Sequence, residues 1–184
     1  PIFEAGFAAH SHGFRPGRGC KDALREVDAA LEAGKTWVVD ADLKSYFDTI
    51  PHGKLMERVK RKIADGRVLD LILKFLKQGV LEELKGWEPT EQGTPQGAVI
   101  SPLLANLYLD ELDHLMAARG RTMIRYADDF VILCADEAEA RAALDEVKGW
   151  VEENGLLLHP EKTKIVDATV PGKGYFAILR LYGP

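Results

Sequence analysis

The chain has 184 residues but only two cysteines, Cys20 and Cys134, and no CxxC pair. So few thiols build neither a disulfide framework nor a structural zinc centre, and a reducing, cytoplasmic setting fits. No apolar stretch reaches the roughly 18 residues of a membrane span, so no membrane partner is expected. No secretory leader is visible either. The sequence opens at Pro1-Ile2-Phe3 without Met and closes at Tyr182-Gly183-Pro184, which reads as a piece of a longer protein. Excess positive charge is lacking too: 24 bases face 29 acids, a net charge of −5. Bulk charge therefore gives no sign of nucleic acid. The imbalance is local. Seven acids and two bases lie in 136–153, and outside that segment acids and bases balance at 22 each. One helix's solvent face can carry that excess and leave a basic surface elsewhere. His10 and His12 form an HxH with no third ligand nearby in sequence, a pattern more common in surface loops than in metal sites.

A core is well supplied, at 46% hydrophobic residues. Residues 1–19 are loop, broken by Pro1, Gly6, Gly13, Pro16, Gly17 and Gly19. Helical spacing of Ala23, Leu24, Val27, Ala30 and Leu31 predicts a helix over Cys20–Ala33, stopped by Gly34. Thr36-Trp37-Val38-Val39 reads as a buried strand ending at Asp40 and Asp42. Pro51 opens a helix to about Ile63, and a second follows through Leu76. Residues 80–97 read as a polar hairpin, and a long helix runs from about Val99 to Ala118. Strands 122–126 and 130–135 flank Ala127-Asp128-Asp129. A helix over 137–154 and a strand over Lys164–Ala168 complete the pattern.

With the helical pair at 52–79 set aside, the order is strand, helix, strand, strand, helix, strand. That is the split βαβ, or ferredoxin-like, α+β fold: an antiparallel sheet packed on helices. In it the third strand lies beside the first and runs antiparallel to it. The end of the first strand, with Asp42, then abuts the start of the third, with Asp128-Asp129. Residues 86 positions apart become neighbours by topology alone.

Gathered carboxylates beside apolar strands repel one another and are costly to bury unpaired. A hard divalent cation resolves this. Magnesium takes oxygen ligands and is commonly held by one or two carboxylates plus substrate phosphates. Two such ions about 4 Å apart can activate a hydroxyl and stabilise a leaving pyrophosphate. Asp-Asp between strands is also ordinary turn chemistry, and that reading stays open here. No nucleophile elbow, GxxxxGK[ST] or HExxH competes with the cation.

Five ordered motifs over 13–164 carry a resemblance. They are Gly13-Phe14-Arg15-Pro16-Gly17-Arg18; Val39-Asp40-Ala41-Asp42-Leu43-Lys44-Ser45-Tyr46-Phe47-Asp48; GTPQGAVISPLLANLYLDELD at 93–113; Tyr126-Ala127-Asp128-Asp129; and Gly155-Leu156-Leu157-Leu158 with Glu161-Lys162-Thr163. Together they resemble the boxes of group II intron-encoded reverse transcriptases and maturases. Retron and CRISPR-associated reverse transcriptases share much of the pattern.

The resemblance implies a polymerase palm with a partial fingers extension. Residues 1–35 would be the fingers segment and 36–184 the palm, with a helical insertion at about 51–80. Fingertips and thumb would be absent, and this piece alone would be weak or inactive. The implied activity is RNA-directed DNA polymerisation by two-metal transfer of a dNTP to a primer 3′-hydroxyl. The implied partners are RNA template, DNA primer, dNTP and, through the maturase branch, intron RNA. A non-catalytic RNA-binding remnant is the alternative within the family, and a nucleotidyl cyclase the alternative outside it.

By the same resemblance Asp42, Asp128 and Asp129 hold two magnesium ions, with manganese as a substitute. Lys162 serves as the acid for pyrophosphate departure. Phe47 underlies the incoming sugar and excludes a 2′-hydroxyl. Gln96 and Gly97 reach the nucleotide, Arg15 and Arg18 contact phosphates, and small Ala127 leaves room near the primer end. Plainer readings exist: core packing for Phe47, a hairpin-closing amide for Gln96, solvated cations for Lys162, Arg15 and Arg18. The family's last box finds only a loose match at Gly174–Leu179.

Overall fold

The computed structural model describes residues 2–77, 80–82, 86–88, 91–95 and 98–170. A short 3-10 turn at Glu4–Gly6 precedes α1 (Cys20–Glu32), β1 (Trp37–Asp42), α2 (Tyr46–Thr49), α3 (His52–Lys60) and α4 (Gly66–Leu76). The small hairpin β2 (Val80–Glu82) and β3 (Gly86–Glu88) follows, then α5 (Ser101–Ala118), β4 (Thr122–Tyr126), β5 (Asp129–Cys134), α6 (Glu137–Glu153) and β6 (Lys164–Asp167). Gln96 and Gly97 lie outside the described residues, as does the loose match at Gly174–Leu179.

The main sheet has the order β4-β5-β1-β6, with every neighbouring pair antiparallel. This is the expected split βαβ arrangement. β1 lies centrally between β5 and β6, so its backbone groups find partners on both sides. The strand carries Asp40 and Asp42 at its end, as the sequence reading expects: pairing with β5 outweighs the low strand preference of aspartate, and β6 adds to it at Asp40. The four-residue α2 is too short to leave a periodic signal, and the sequence reading lacks it.

Both sheet faces are covered. Val39, Ala41, Met123, Phe130 and Ile132 join the larger core with residues of α3, α4, α5 and α6. Val38, Ile124, Val131 and Leu133 pack instead against Ala23, Leu24, Val27 and Ala30 of α1. A strand buried on both faces reads as a continuous apolar run, as Val131-Ile132-Leu133 does. Side chains anchor the helix starts: Asp22 Oδ2 accepts from Gly19 N (2.8 Å), and Asp136 Oδ1 caps α6 at Glu139 N (2.8 Å).

The loop before α1 adds a short parallel pairing to β4. His12 N donates to Arg125 O and Arg125 N to His10 O, both at 2.9 Å. His10 and His12 therefore point to one side, where both meet Glu26 of α1, at 2.6 and 3.3 Å. That carboxylate fastens the loop to α1. No helix among the described residues is long and apolar enough to cross a membrane.

Candidate active site

The register of β1 and β5 pairs Asp42 directly with Asp129. Asp128 occupies the two-residue turn between β4 and β5, whose other member, Ala127, has φ 60°. Burial pushes the Asp128 carboxyl above its ordinary pKa, and the charge of Asp42 pushes it the same way. An accepted backbone hydrogen bond and the charges of Arg125 and Lys162 oppose both. The two carboxylates are thus close enough to repel.

Lys162 partly offsets that repulsion. The loop 157–163 is clasped to the end of β1: Lys44 N donates to Leu157 O (2.8 Å) and His159 N to Asp42 O (2.7 Å). The clasp sets Lys162 Nζ 3.0 Å from Asp42 Oδ2, with half of the lysine side chain still in solvent. Behind it, Lys164 Nζ stands 3.8 Å from Asp40 Oδ2.

Sequence reasoning assigned no role to the residues that hold the turn, although Gly13, Asn106 and Asp113 lie within its motifs. Arg125 is fully buried, and its guanidinium grips both carboxylate oxygens of Asp113. Its Nη1 donates to Ala127 O (2.6 Å) and to Asn106 Oδ1 (2.9 Å). Asn106 Nδ2 in turn donates to Gly13 O (2.7 Å). A signal for this was present. Period-two alternation puts Arg125 on the same face as the core residue Met123, and an arginine there needs a buried partner.

Gly13 is held against the turn so closely that a Cβ on it would sit 2.1 Å from Ala127 N and 2.8 Å from Ala127 Cα. Gly13→Ala must therefore displace backbone. It is expected to lower stability by about 1–3 kcal/mol, the usual range for overpacking. A urea midpoint equal to that of the parent protein would show that the contact is not there.

Phe47 is half-buried. Its ring meets Tyr46 (centroids 5.6 Å) and Phe14 (6.5 Å), both edge-to-face. The segment leading to Gln96 is strapped beneath it: Thr94 N donates to Phe47 O (2.7 Å) and Gly93 N to Ile50 O (2.8 Å). Gly93, at φ 87°, leaves no room for a Cβ, which would meet Asp48 O at 2.9 Å.

Arg15 faces inward. It is 8% exposed; its Nε and Nη2 hold Glu4 Oε1 at 2.9 and 2.8 Å, and its Nη1 holds Ala8 O and Ser11 O, both at 2.7 Å. Its fork organises the loop. Arg18 donates to Ala9 O.

Among the described residues, no three His, Cys, Asp or Glu side chains form a ready metal cage. The Asp42–Asp128 pair instead offers hard oxygen donors in a two-carboxylate set. That suits an ion completed by water and substrate phosphates rather than one enclosed by protein.

Residues 2–173 match the family described as reverse transcriptase (RNA-dependent DNA polymerase). The chain belongs to this family. Curated relatives of this reverse transcriptase chain include Protein YkfC of Escherichia coli K12, 35% identical over 204 aligned residues, covering 90% of this chain and 53% of YkfC. The group II intron-encoded protein LtrA of Lactococcus lactis subsp. cremoris is 46% identical over 112 residues, 61% of this chain and 18% of LtrA. The chain thus spans about half of YkfC and under a fifth of LtrA. The solved telomerase from Candida albicans, in complex with a fragment of telomeric RNA, superposes with a TM-score of 0.69 at 14% identity, covering 90% of this chain and 32% of that one. At that identity the likeness is one of fold.

Proposed function

We propose that these residues form the nucleotidyl-transfer palm of an RNA-directed DNA polymerase, adding dNTPs to a DNA primer on an RNA template. The observation that carries the reading is the convergence of Asp42 and Asp128. Strand register sets Asp42 opposite Asp129, next to Asp128 in the turn, and the charge of Asp42 adds to the cost of ionising Asp128. Family membership and the intron-encoded relatives support it. Residues 1–35 serve as the partial fingers segment and 36–184 as the palm.

Magnesium, when bound, supplies the positive charge that activates the primer hydroxyl and stabilises the departing pyrophosphate. Asp42 and Asp128 hold it, with Asp129 at the strand start beside them. Lys162, half in solvent and already at Asp42, is placed to give a proton to the leaving group. Ala127, with only a methyl side chain, keeps the turn low beneath the primer end. Gln96 and Gly97 follow the strap at Phe47 and contact the nucleotide. Arg18 contacts phosphate, and Arg15, with its fork engaged, acts by shaping the loop that carries both. Intron RNA is the template or cofactor RNA that the intron-encoded relatives suggest.

Phe47 stands under the sugar of the incoming nucleotide. Phe47→Val is expected to raise ribonucleotide use relative to deoxyribonucleotide by about 10- to 200-fold, the discrimination a pocket gains from a small steric change. Single-nucleotide addition with paired rNTP and dNTP reads this directly. Unchanged sugar selection returns Phe47 to core packing.

The function itself is tested by primer extension with the full-length protein. Metal-dependent DNA synthesis on RNA, lost in Asp42→Asn, is the expected result. Cyclic nucleotide formation, or RNA binding with no extension under any metal, would overturn the reading.

A further inference from the structure

Among the described residues, three that are not glycine adopt a positive φ: Phe14 (55°), Ser45 (48°) and Ala127 (60°). All three border the carboxylate site. Ala127 precedes Asp128 in the turn, Ser45 opens the short helix bearing Phe47, and the ring of Phe14 stands against that of Phe47. Backbone strain of this kind persists only where the surroundings over-determine it, and it gathers at functional sites. For a residue as bulky as phenylalanine it is a marked outlier.

The surroundings of Phe14 do over-determine it. On one side Gly13 is packed onto Ala127, and its carbonyl is held by Asn106. On the other side the guanidinium of Arg15 is bonded to Glu4, Ala8 and Ser11. What these contacts hold in place is a ring left 57% exposed. Burial cannot explain an aromatic side chain held in a strained conformation and turned to water. Its contact with Phe47 is nearly perpendicular (82°), which leaves at least one ring face open to a planar partner.

We propose that Phe14 is a nucleobase-stacking residue, taking a base of the primer–template strands at the carboxylate site. This rests on the nucleotidyl-transfer reading above and adds to it a contact made by an aromatic face rather than by charge. Such stacking tolerates any base, because every base has a π-face. It also adds a contact that does not depend on charge, in a chain whose net charge is −5.

The test is binding of an RNA–DNA primer–template carrying 2-aminopurine near the primer end, with Phe14→Gly, Phe14→Leu and Phe14→Trp compared. Wild-type protein is expected to change the probe's fluorescence, and Phe14→Trp to preserve both that change and the affinity. Phe14→Gly and Phe14→Leu should each weaken binding by about 5- to 150-fold, the range for one base–aromatic stack. The melting temperature of Phe14→Gly should not fall, since glycine takes this φ without strain. Equal affinity in Phe14→Gly and wild type overturns the proposal. So does a melting temperature that falls with affinity in Phe14→Gly and Phe14→Leu alike, which makes Phe14 a packing residue. Wild-type protein that binds no primer–template overturns the nucleotidyl-transfer reading itself, and this proposal with it.

Discussion

In an Asp128→Asn variant, thermal unfolding is expected to move upward while nucleotide addition falls by roughly a thousandfold, the upper range for losing one transition-state charge contact. The two effects share a cause. Burial and the neighbouring Asp42 charge raise the Asp128 pKa in the folded protein, so the folded state binds that proton more tightly than the unfolded chain does. The fold therefore gains stability as pH falls from the raised pKa toward the ordinary carboxylate value. Above the raised pKa it bears the cost of the ionised group. Asparagine removes that charge at every pH. A gain on the order of 1 kcal/mol is expected near neutrality, shrinking as the pH is lowered through that window. On the proposed mechanism activity has the opposite pH dependence, because the carboxylate would work in its ionised form, which acidification removes. Thermal melts of both proteins across pH, beside single-nucleotide addition, check both signs. A variant less stable than wild type at neutral pH would contradict the repulsion described here.

Arg125→Met is the substitution expected to cost the most stability, about 3–5 kcal/mol. Asp113 is 6% exposed, and without its partner it becomes a buried, uncompensated charge. Burial alone lowers the proton affinity of the Arg125 guanidinium. The charge and hydrogen bonds of Asp113 more than restore it, so the arginine stays ionised. Lysine cannot substitute, because the fork serves Asp113, Asn106 and Ala127 O at once. Replacing both partners, as in Arg125→Met with Asp113→Leu, should return much of the loss, since an apolar pair of similar volume can match a buried ion pair. It should not restore nucleotide addition, because Ala127 O and Asn106 still lack their donor and the turn carrying Asp128 loosens. Urea unfolding of the single and double variants measures the first effect. A single-variant cost below about 1 kcal/mol would mean that the pair is not truly buried.

Much of this arrangement was legible from residue order. The alternation of strands and helices fixed which strands lie side by side, and with them the meeting of Asp42 and Asp129, because handedness and hairpin connection leave few alternatives. What holds the end of β1 was less legible. Asp40 and Asp42 have poor intrinsic strand preference; β5 keeps both on the ladder, while on the other side β6 reaches only Asp40 and the loop at His159 and Thr163 holds Asp42. Arg15 shows another kind of limit. The family resemblance implies a phosphate ligand at Arg15, yet its partners Glu4, Ala8 and Ser11 come from the folding back of residues with no periodic signal. The support beneath Asp128 was hidden for a similar reason. Asn106 and Asp113 lie on the apolar helix α5, and which of its residues face Arg125 depends on how helix and sheet dock.

The most direct test of the central claim, that Asp42 and Asp128 form one metal-dependent site, is Mn2+ binding followed by electron paramagnetic resonance with and without dNTP. One class of bound Mn2+, tightened by dNTP and lost in both Asp42→Asn and Asp128→Asn, is the predicted result. Binding that survives in either variant with unchanged affinity and unchanged response to dNTP would contradict it.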